Sequence, residues 1–341
     1  YYYHPFVLPQ GYTDTNLVPC WHERHSDVPF ADLVSFQPHL CEQGRAPKQN
    51  TTPEFAAVAN YAYHLDAGKF GQFLQKHCTG KLGVRHVLDH VRGINPAGNG
   101  DIASLQTDKH GALAGDLFVD CTGFASLLLG QHYDVPFVSR KHVLFNDTAQ
   151  AIQVPYAEDQ YPIASQTIST AQDAGWIWDI GLPTRRGVGH VYSSAHTSDS
   201  EAEDALSQYI EELSGTDTSA LGSPRKISIN PGHREKFWHK NCVAVGISAG
   251  FIEPLEASAL ALIELSAAMI RDQLPATREI MDVVAARFNE RFLYRWGRVI
   301  DFLKLHYILS KRSDSQFWID NRRAETIPDR LQELMELWQF Q

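Results

Sequence analysis

The chain has 341 residues, 43% of them hydrophobic and 21% charged, with a formal net charge of -10. That length and composition suit a globular protein with ample core, in one large domain or two ordinary ones. The acidic balance argues against a nucleic-acid or anionic-membrane surface, and no apolar run approaches the roughly 18 residues of a membrane span.

Five cysteines, an odd number with no C-x-x-C, point to reduced thiols and a cytoplasmic setting. The chain opens at Tyr1 with neither a methionine nor a signal-peptide pattern, and so reads as trimmed. The first 50 residues are rich in Pro, His and aromatics and show little periodicity. In Tyr1-Tyr2-Tyr3-His4-Pro5-Phe6 an extended backbone turns His4 and Phe6 to one side, lining an aromatic pocket or merely covering a core. Cys20-Trp21-His22-Glu23-Arg24-His25 gathers a thiol and imidazoles, but no second pair completes the four ligands of a zinc site, and no metal is expected.

Residues 53–62 read as a short helix and 61–65 as a strand overlapping its end. Asp66 is a predicted N-cap for a helix to about His77, with Phe70, Phe73, Leu74 and His77 on one face. Residues 83–88 read as a strand, and Asn99-Gly100-Asp101 as a hairpin turn. Residues 117–120 form a predicted buried strand that runs at once into Cys121-Thr122-Gly123-Phe124. Small residues and amides at a strand's carboxyl end sit where open α/β sheets bind ligands. Strand-like pieces dominate between residues 135 and 192. In Gly175-Trp176-Ile177-Trp178-Asp179-Ile180 the alternation turns both indoles to one face, as the wall of a ligand site or as core. Residues 185–189 read as a turn before a partner strand at 190–194. Ser198-Asp199-Ser200-Glu201 starts an amphipathic helix, residues 214–224 are a polar loop, and a strand is expected near 226–229. After Pro275 the chain reads as helical nearly throughout. Asn50-Thr51-Thr52 and Asn146-Asp147-Thr148 match glycosylation sequons, which mean little without secretion.

The stretch 241–260 concentrates the chemistry. Residues 242–245 read as a buried strand, Gly246, Gly250 and Pro254 break regular structure, and helical spacing resumes from Leu260. Free amides and the dipole at that helix start attract anions. The two glycines permit close approach to a flat ligand. Glu256 lies just before the helix, where desolvation would raise its pKa; the plainer reading is a carboxylate serving the dipole. Gly246-Ile247-Ser248-Ala249-Gly250 also fits the G-x-S-x-G elbow of serine hydrolases, with Asp282 or Asp301 and His306 following in order. An elbow passes directly from its serine into a helix, whereas here residues 251–254 intervene.

Taken in this order, the pieces resemble the flavin-dependent tryptophan halogenase family. Trp176-Ile177-Trp178-Asp179-Ile180 is similar to its W-x-W-x-I-P signature, Asp120-Cys121-Thr122-Gly123-Phe124 to its flavin-domain strand end, and residues 241–259 to its NCVAxGxxxGFxEPLEST segment. Leu305-His306-Tyr307 and Phe317-Trp318 resemble its helical C-terminal part. The resemblance implies an α/β (α+β) fold: a flavin-monooxygenase-like FAD-binding core of mixed sheets over residues 1–270, and a helical C-terminal region over 271–341. It implies reduced FAD, oxygen and a halide, chloride or bromide, that is oxidised to hypohalous acid and carried through a tunnel to an indole. By that resemblance Asp120, Thr122, Gly123, Trp176, Trp178, Gly246, Ser248, Gly250 and Phe251 serve the cofactor. Ser258 and Ala259 hold the halide, His4 and Phe6 line the indole, and Glu256 is catalytic. A separate flavin reductase supplies the reduced cofactor, and a homodimer is compatible. The family's N-terminal strand-GxGxxG-helix unit and catalytic lysine have no counterpart in these residues, Gly181 replaces the signature proline, and Glu-Ser-Thr-Gly reads Glu256-Ala257-Ser258-Ala259. A flavin-dependent aromatic hydroxylase is the nearer alternative and a serine hydrolase the more distant one.

Overall fold

A computed structural model of the protein describes residues 2–156, 162–215 and 217–340, with Ser214 described by its backbone alone. Tyr1 of the aromatic segment and Thr216 of the polar loop lie outside them. No described helix is long and apolar enough to cross a membrane.

Two small sheet systems position the site. In the first, Cys242–Ala244 is the central strand, antiparallel to Trp238–His239 and parallel to Phe118–Asp120. Parallel pairing delivers two turns to the same edge: Gly123–Ala125 after one strand and Gly246–Ser248 after the other. The second is a five-stranded antiparallel sheet in the order Arg225–Ser228, Thr148–Pro155, Arg185–Tyr192, Gly175–Gly181, Ile168–Gln172. Its two-residue period splits the tryptophan strand between faces. Ile177 packs with Leu206, Tyr209 and Ile210 under the helix Asp199–Ser214, while Trp176 packs with Ala149, Val191 and Ile229 on the opposite face. Trp178 lies opposite Gly189, where a Cβ would meet its ring at 2.2 Å, so the glycine makes room for the indole.

The helix Arg278–Ile308 carries Phe288, Phe292 and Trp296 at four-residue spacing into the main core, against Phe237 and Trp238. Phe288 and Phe292 stack at 4.3 Å, and Phe237 lies parallel to Trp296 at 6.2 Å. The helix Ser258–Asp272 precedes it and the short helices Gln316–Asp320 and Asp329–Trp338 follow, which matches the helical reading of this region.

Local expectations hold where capping and turn chemistry were explicit. Asp66 accepts the Lys69 amide at 3.1 Å and starts a helix that runs to Lys81. Ser198 and Glu201 form a capping box, and Asn99 caps the Asp101 amide between antiparallel strands. Elsewhere the structure corrects the reading. Residues 53–62 form turns rather than a helix, and 61–65 and 83–88 pair with no strand; the strand of that region is Val91–Pro96. Apolar alternation specifies a strand only if a partner supplies the ladder, and Val84 and Leu88 are instead exposed. Residues 185–189, expected as a turn, open the strand Arg185–Tyr192, because the bend is closed earlier by the Leu182 amide on the Arg185 carbonyl. The Asp66 helix has its apolar face on the surface, with Phe73 61% exposed. Three short helices, Val18–Arg24, Phe30–Val34 and Gln37–Glu42, and a π-helical segment Leu127–His132 had no sequence signal strong enough to read. Asn146 is fully buried, which rules out its sequon as a glycan site in the folded protein.

Candidate active site

The Asp120 strand end and the Gly246 loop form one surface. Ser126 donates its hydroxyl to the Ser248 carbonyl at 3.1 Å, and Phe124 meets Phe251 edge to face at 5.7 Å. Gly123 and Gly246 have φ of +66° and +74°, a backbone that L side chains rarely adopt. A Cβ on Gly123 would project into open space, which leaves the Thr122-Gly123 backbone free for a flat group to approach. Thr122 and Phe124 are exposed and Gly123 half-buried. These residues and Gly246 fit a flavin.

Not every residue expected at the cofactor faces outward. Asp120 is fully buried. One of its oxygens accepts the Thr122 amide and hydroxyl, and the other accepts the Leu128 and Leu129 amides at the head of the π-helical segment. It organises the turn from behind. Gly250 is glycine because a Cβ there would lie 2.6 Å from the Gly232 carbonyl in the strand beside it, not because a ligand approaches. Ser248 is buried, and its hydroxyl donates to the Asp120 and Val245 carbonyls. The chain passes from that 3-10 turn into the strand Gly250–Phe251, not into a helix. A buried serine whose hydroxyl is committed to two backbone carbonyls is no nucleophile, and the hydrolase reading falls.

Beyond Phe251 the loop reaches Glu256. Ala257 adopts a left-handed conformation (φ 50°) and starts the helix Ser258–Asp272 with no side-chain cap. Ser258 is half-buried and Ala259 exposed, in the first turn of that helix. Glu256 does not serve the dipole as a cap. Its Oε2 accepts from His4 Nδ1 at 2.8 Å and its Oε1 from His306 Nε2 at 3.0 Å. His306 Nδ1 donates to the Phe302 carbonyl at 2.8 Å. Both neighbours of this imidazole only accept, so both nitrogens carry protons and the ring is a cation. Burial alone pushes His306 down, but the Glu256 carboxylate overrides it and raises the pKa.

The expected rise for Glu256 is therefore reversed. Burial does push it up, but hydrogen bonds from His306 and His4 outweigh that and hold it at about 2. The donor atoms of His4, Glu256 and His306 lie within 4.8 Å of one another, a spacing that could hold a cation. Because the protons on His306 are already accounted for, the group is a hydrogen-bonded triad. The ring of His4 stacks on Phe302 at 5.9 Å, with Tyr2 at 5.3 Å. Phe6 is tied down by its backbone, whose amide donates to Gln37 at 2.5 Å and whose carbonyl accepts from Asn60 at 3.0 Å; its ring is 63% exposed.

Trp176 and Trp178 meet edge to face at 6.2 Å. Trp176 is buried and its indole N–H donates to Glu253 at 2.7 Å; Trp178 is half-buried, packed with Phe251 and Leu255 against the Trp176 cluster. The two tryptophans thus pack against the Phe251 to Leu255 stretch that joins the Gly246 turn to Glu256. Sequence reasoning missed His306 as a partner of Glu256 and gave Glu253 and Tyr307 no role in the site. The only signal was two carboxylates in one loop and a Leu-His-Tyr at the end of a long helix.

Compared with known proteins, all of residues 1–341 match the tryptophan halogenase family. The chain belongs to that family. It is 33% identical to tryptophan 6-halogenase SttH of Streptomyces toxytricini, covering 100% of this chain and 68% of that protein. A crystal structure of a tryptophan halogenase from Shewanella frigidimarina superposes with a TM-score of 0.94 at 52% identity, over 98% of this chain and 63% of that one. Xcc4156, a flavin-dependent halogenase from Xanthomonas campestris, superposes at 0.86 with 31% identity, over 99% of this chain and 65% of that one. The chain thus spans about two thirds of the length of these relatives. In fold it is a mixed α/β protein of the flavin-dependent halogenases, as the motifs implied.

Proposed function

We propose that the chain is the core of a flavin-dependent halogenase acting on an indole-type aromatic substrate. The observation that carries this reading is Glu256, an ionised carboxylate gripped by two histidines, on the loop joining a flavin-shaped turn to an uncapped helix start. FAD, reduced by a separate flavin reductase, supplies with oxygen the equivalents that oxidise chloride or bromide to hypohalous acid. Thr122, Gly123 and Gly246 offer it backbone, with Asp120, Ser248, Gly250 and Phe251 shaping the two turns behind. The amides of Ser258 and Ala259 at the helix start suit a halide. Trp176 and Trp178 wall the space between oxidant and substrate, and His4 and Phe6 lie on the substrate side.

At the ring, carbon–halogen bond formation leaves a cationic ring and releases the hydroxyl of the hypohalous acid as water, once it takes a proton. Glu256, held ionised by its two histidines, stabilises that cation and takes the ring proton. Its low pKa makes it a weak base, sufficient because the halogenated cation is strongly acidic. His306 and His4 keep both oxygens oriented.

The test supplies the intact protein with FAD, a flavin reductase, oxygen, bromide or chloride, and tryptophan or indole, with products read by mass spectrometry. A halogen isotope pattern on the indole is expected. A hydroxylated indole without halogen would instead favour the flavin-dependent hydroxylase.

A further inference from the structure

Behind Glu256, on the same loop, lies a second carboxylate that the proposed chemistry leaves unused. Glu253 is 1% exposed. Its Oε2 accepts from three side chains on three separate segments: Asn146 Nδ2 at 2.6 Å, Trp176 Nε1 at 2.7 Å and the Tyr307 hydroxyl at 2.5 Å. Asn146 also donates to the Tyr307 hydroxyl at 2.9 Å. Its other oxygen, Oε1, is buried and has no hydrogen-bond partner among the described residues. Lys304, one turn earlier on the Tyr307 helix, is fully buried, donates to Asn321 at 2.9 Å and lies 4.8 Å over the Phe145 ring. Burial pushes the Lys304 amine down to about 7, which the nearby Glu253 carboxyl opposes only in part.

A buried carboxylate is a poor way to add stability, since a well-packed apolar residue often does as well. Its value here is geometric. One oxygen fixes the tilt of Trp176, hence the edge-to-face pair with Trp178, and fixes Tyr307. The next residue back is His306, so adjacent residues of one helix hold both carboxylates of Glu253-Pro254-Leu255-Glu256. The tryptophan wall and the Glu256 triad are thereby locked to one point.

We propose that Glu253 is a positioning residue that couples the Trp176–Trp178 wall to the His306–Glu256 pair, so that oxidant formed on one side reaches the ring rather than bulk solvent. This rests on the halogenase reading above. The test uses the full-length enzyme with Glu253→Gln, Glu253→Leu and Tyr307→Phe. Two quantities are read: the ratio of halogenated indole to hypohalite trapped by a diketone in solution, and the indole N–H resonance of Trp176 in 15N-tryptophan-labelled protein, assigned with Trp176→Phe. A partly unfolded preparation lowers both products together and leaves the ratio unmoved.

Glu253→Gln keeps an acceptor and is expected within about 3-fold of the wild-type ratio, whereas Glu253→Leu loses at least about 10-fold and shifts the Trp176 resonance, the scale of a small misplacement at a reacting centre. A folded Glu253→Leu with the wild-type ratio and an unmoved resonance overturns the proposal. If Glu253→Leu fails to fold, Tyr307→Phe decides, because it removes one of the three bonds and keeps the ring; an unchanged ratio there also overturns it. A wild-type enzyme that halogenates nothing would defeat the halogenase reading instead, and the Trp176 resonance would still report whether Glu253 holds the indole.

Discussion

At the scale of single residues, the site is decided by which groups meet Glu256. Glu256→Gln keeps the size and one of the two acceptor oxygens but loses the charge and the second acceptor. It is expected to cut halogenation by about 100-fold or more while flavin binding is unchanged, the usual weight of a proton-transferring group; unimpaired turnover would remove Glu256 from the chemistry. The same charge sets a pH dependence. Glu256 falls from 4.5 unfolded to about 2 folded, so its contribution to stability is complete above 4.5 and fades as the pH drops towards 2. His306 is raised above 6.5, so its contribution is complete below 6.5 and fades as the pH rises through its folded value. The pair therefore contributes most between those limits. The difference in Tm between wild type and Glu256→Gln should be widest near pH ~5.5 and narrow on either side. A difference flat across that range would mean the ion pair is absent. Neither effect was legible in the sequence, where Glu256 had only apolar neighbours, because its partners lie 252 and 50 residues away.

At the scale of elements, two turns are shaped by buried groups that touch no ligand. Asp120→Ala would strand the Leu128 and Leu129 amides and release Thr122; it is expected to lower stability by at least about 2 kcal/mol, the cost of buried donors left unpaired. Gly250→Ala places a methyl 2.6 Å from a carbonyl that belongs to the adjoining strand, and a loss of about 1–3 kcal/mol is expected from such overpacking. Denaturant titration measures both, and a Gly250→Ala variant as stable as wild type would show that the strand pair yields. The strand-loop-helix order of residues 241–260 was readable because glycine, proline and helical spacing are local signals. That Ser248 faces inward was not, since a five-residue motif does not say where the neighbouring carbonyls lie.

Across the whole molecule, the helix Arg278–Ile308 and the two strands that lead into the Gly123 and Gly246 turns share one core, in which Phe237, Trp238, Phe288, Phe292 and Trp296 interlock. Truncating Phe292 to alanine should therefore lower the stability of the site as well as of the helix, by about 3–5 kcal/mol for a fully buried ring. The check is whether near-ultraviolet circular dichroism and far-ultraviolet signal move to the same lower midpoint. A helix that melts alone would favour the division at residue 270. The same core explains how His306, near the end of that helix, is brought back onto a loop 50 residues earlier.

By itself the sequence carried the motifs that resemble the family, while its spacing determined the helical end of the chain, the shared face of Trp176 and Trp178 and the strand, loop and helix of residues 241–260. These last are local signals written along the backbone. Only the tertiary structure decided that two histidines hold Glu256 ionised against its burial, that Asp120 and Ser248 point inward, and that Glu253 accepts from both Trp176 and Tyr307. Charge state and orientation depend on groups distant in the chain, and a hydrogen bond or an ion pair leaves no periodicity in the sequence to read.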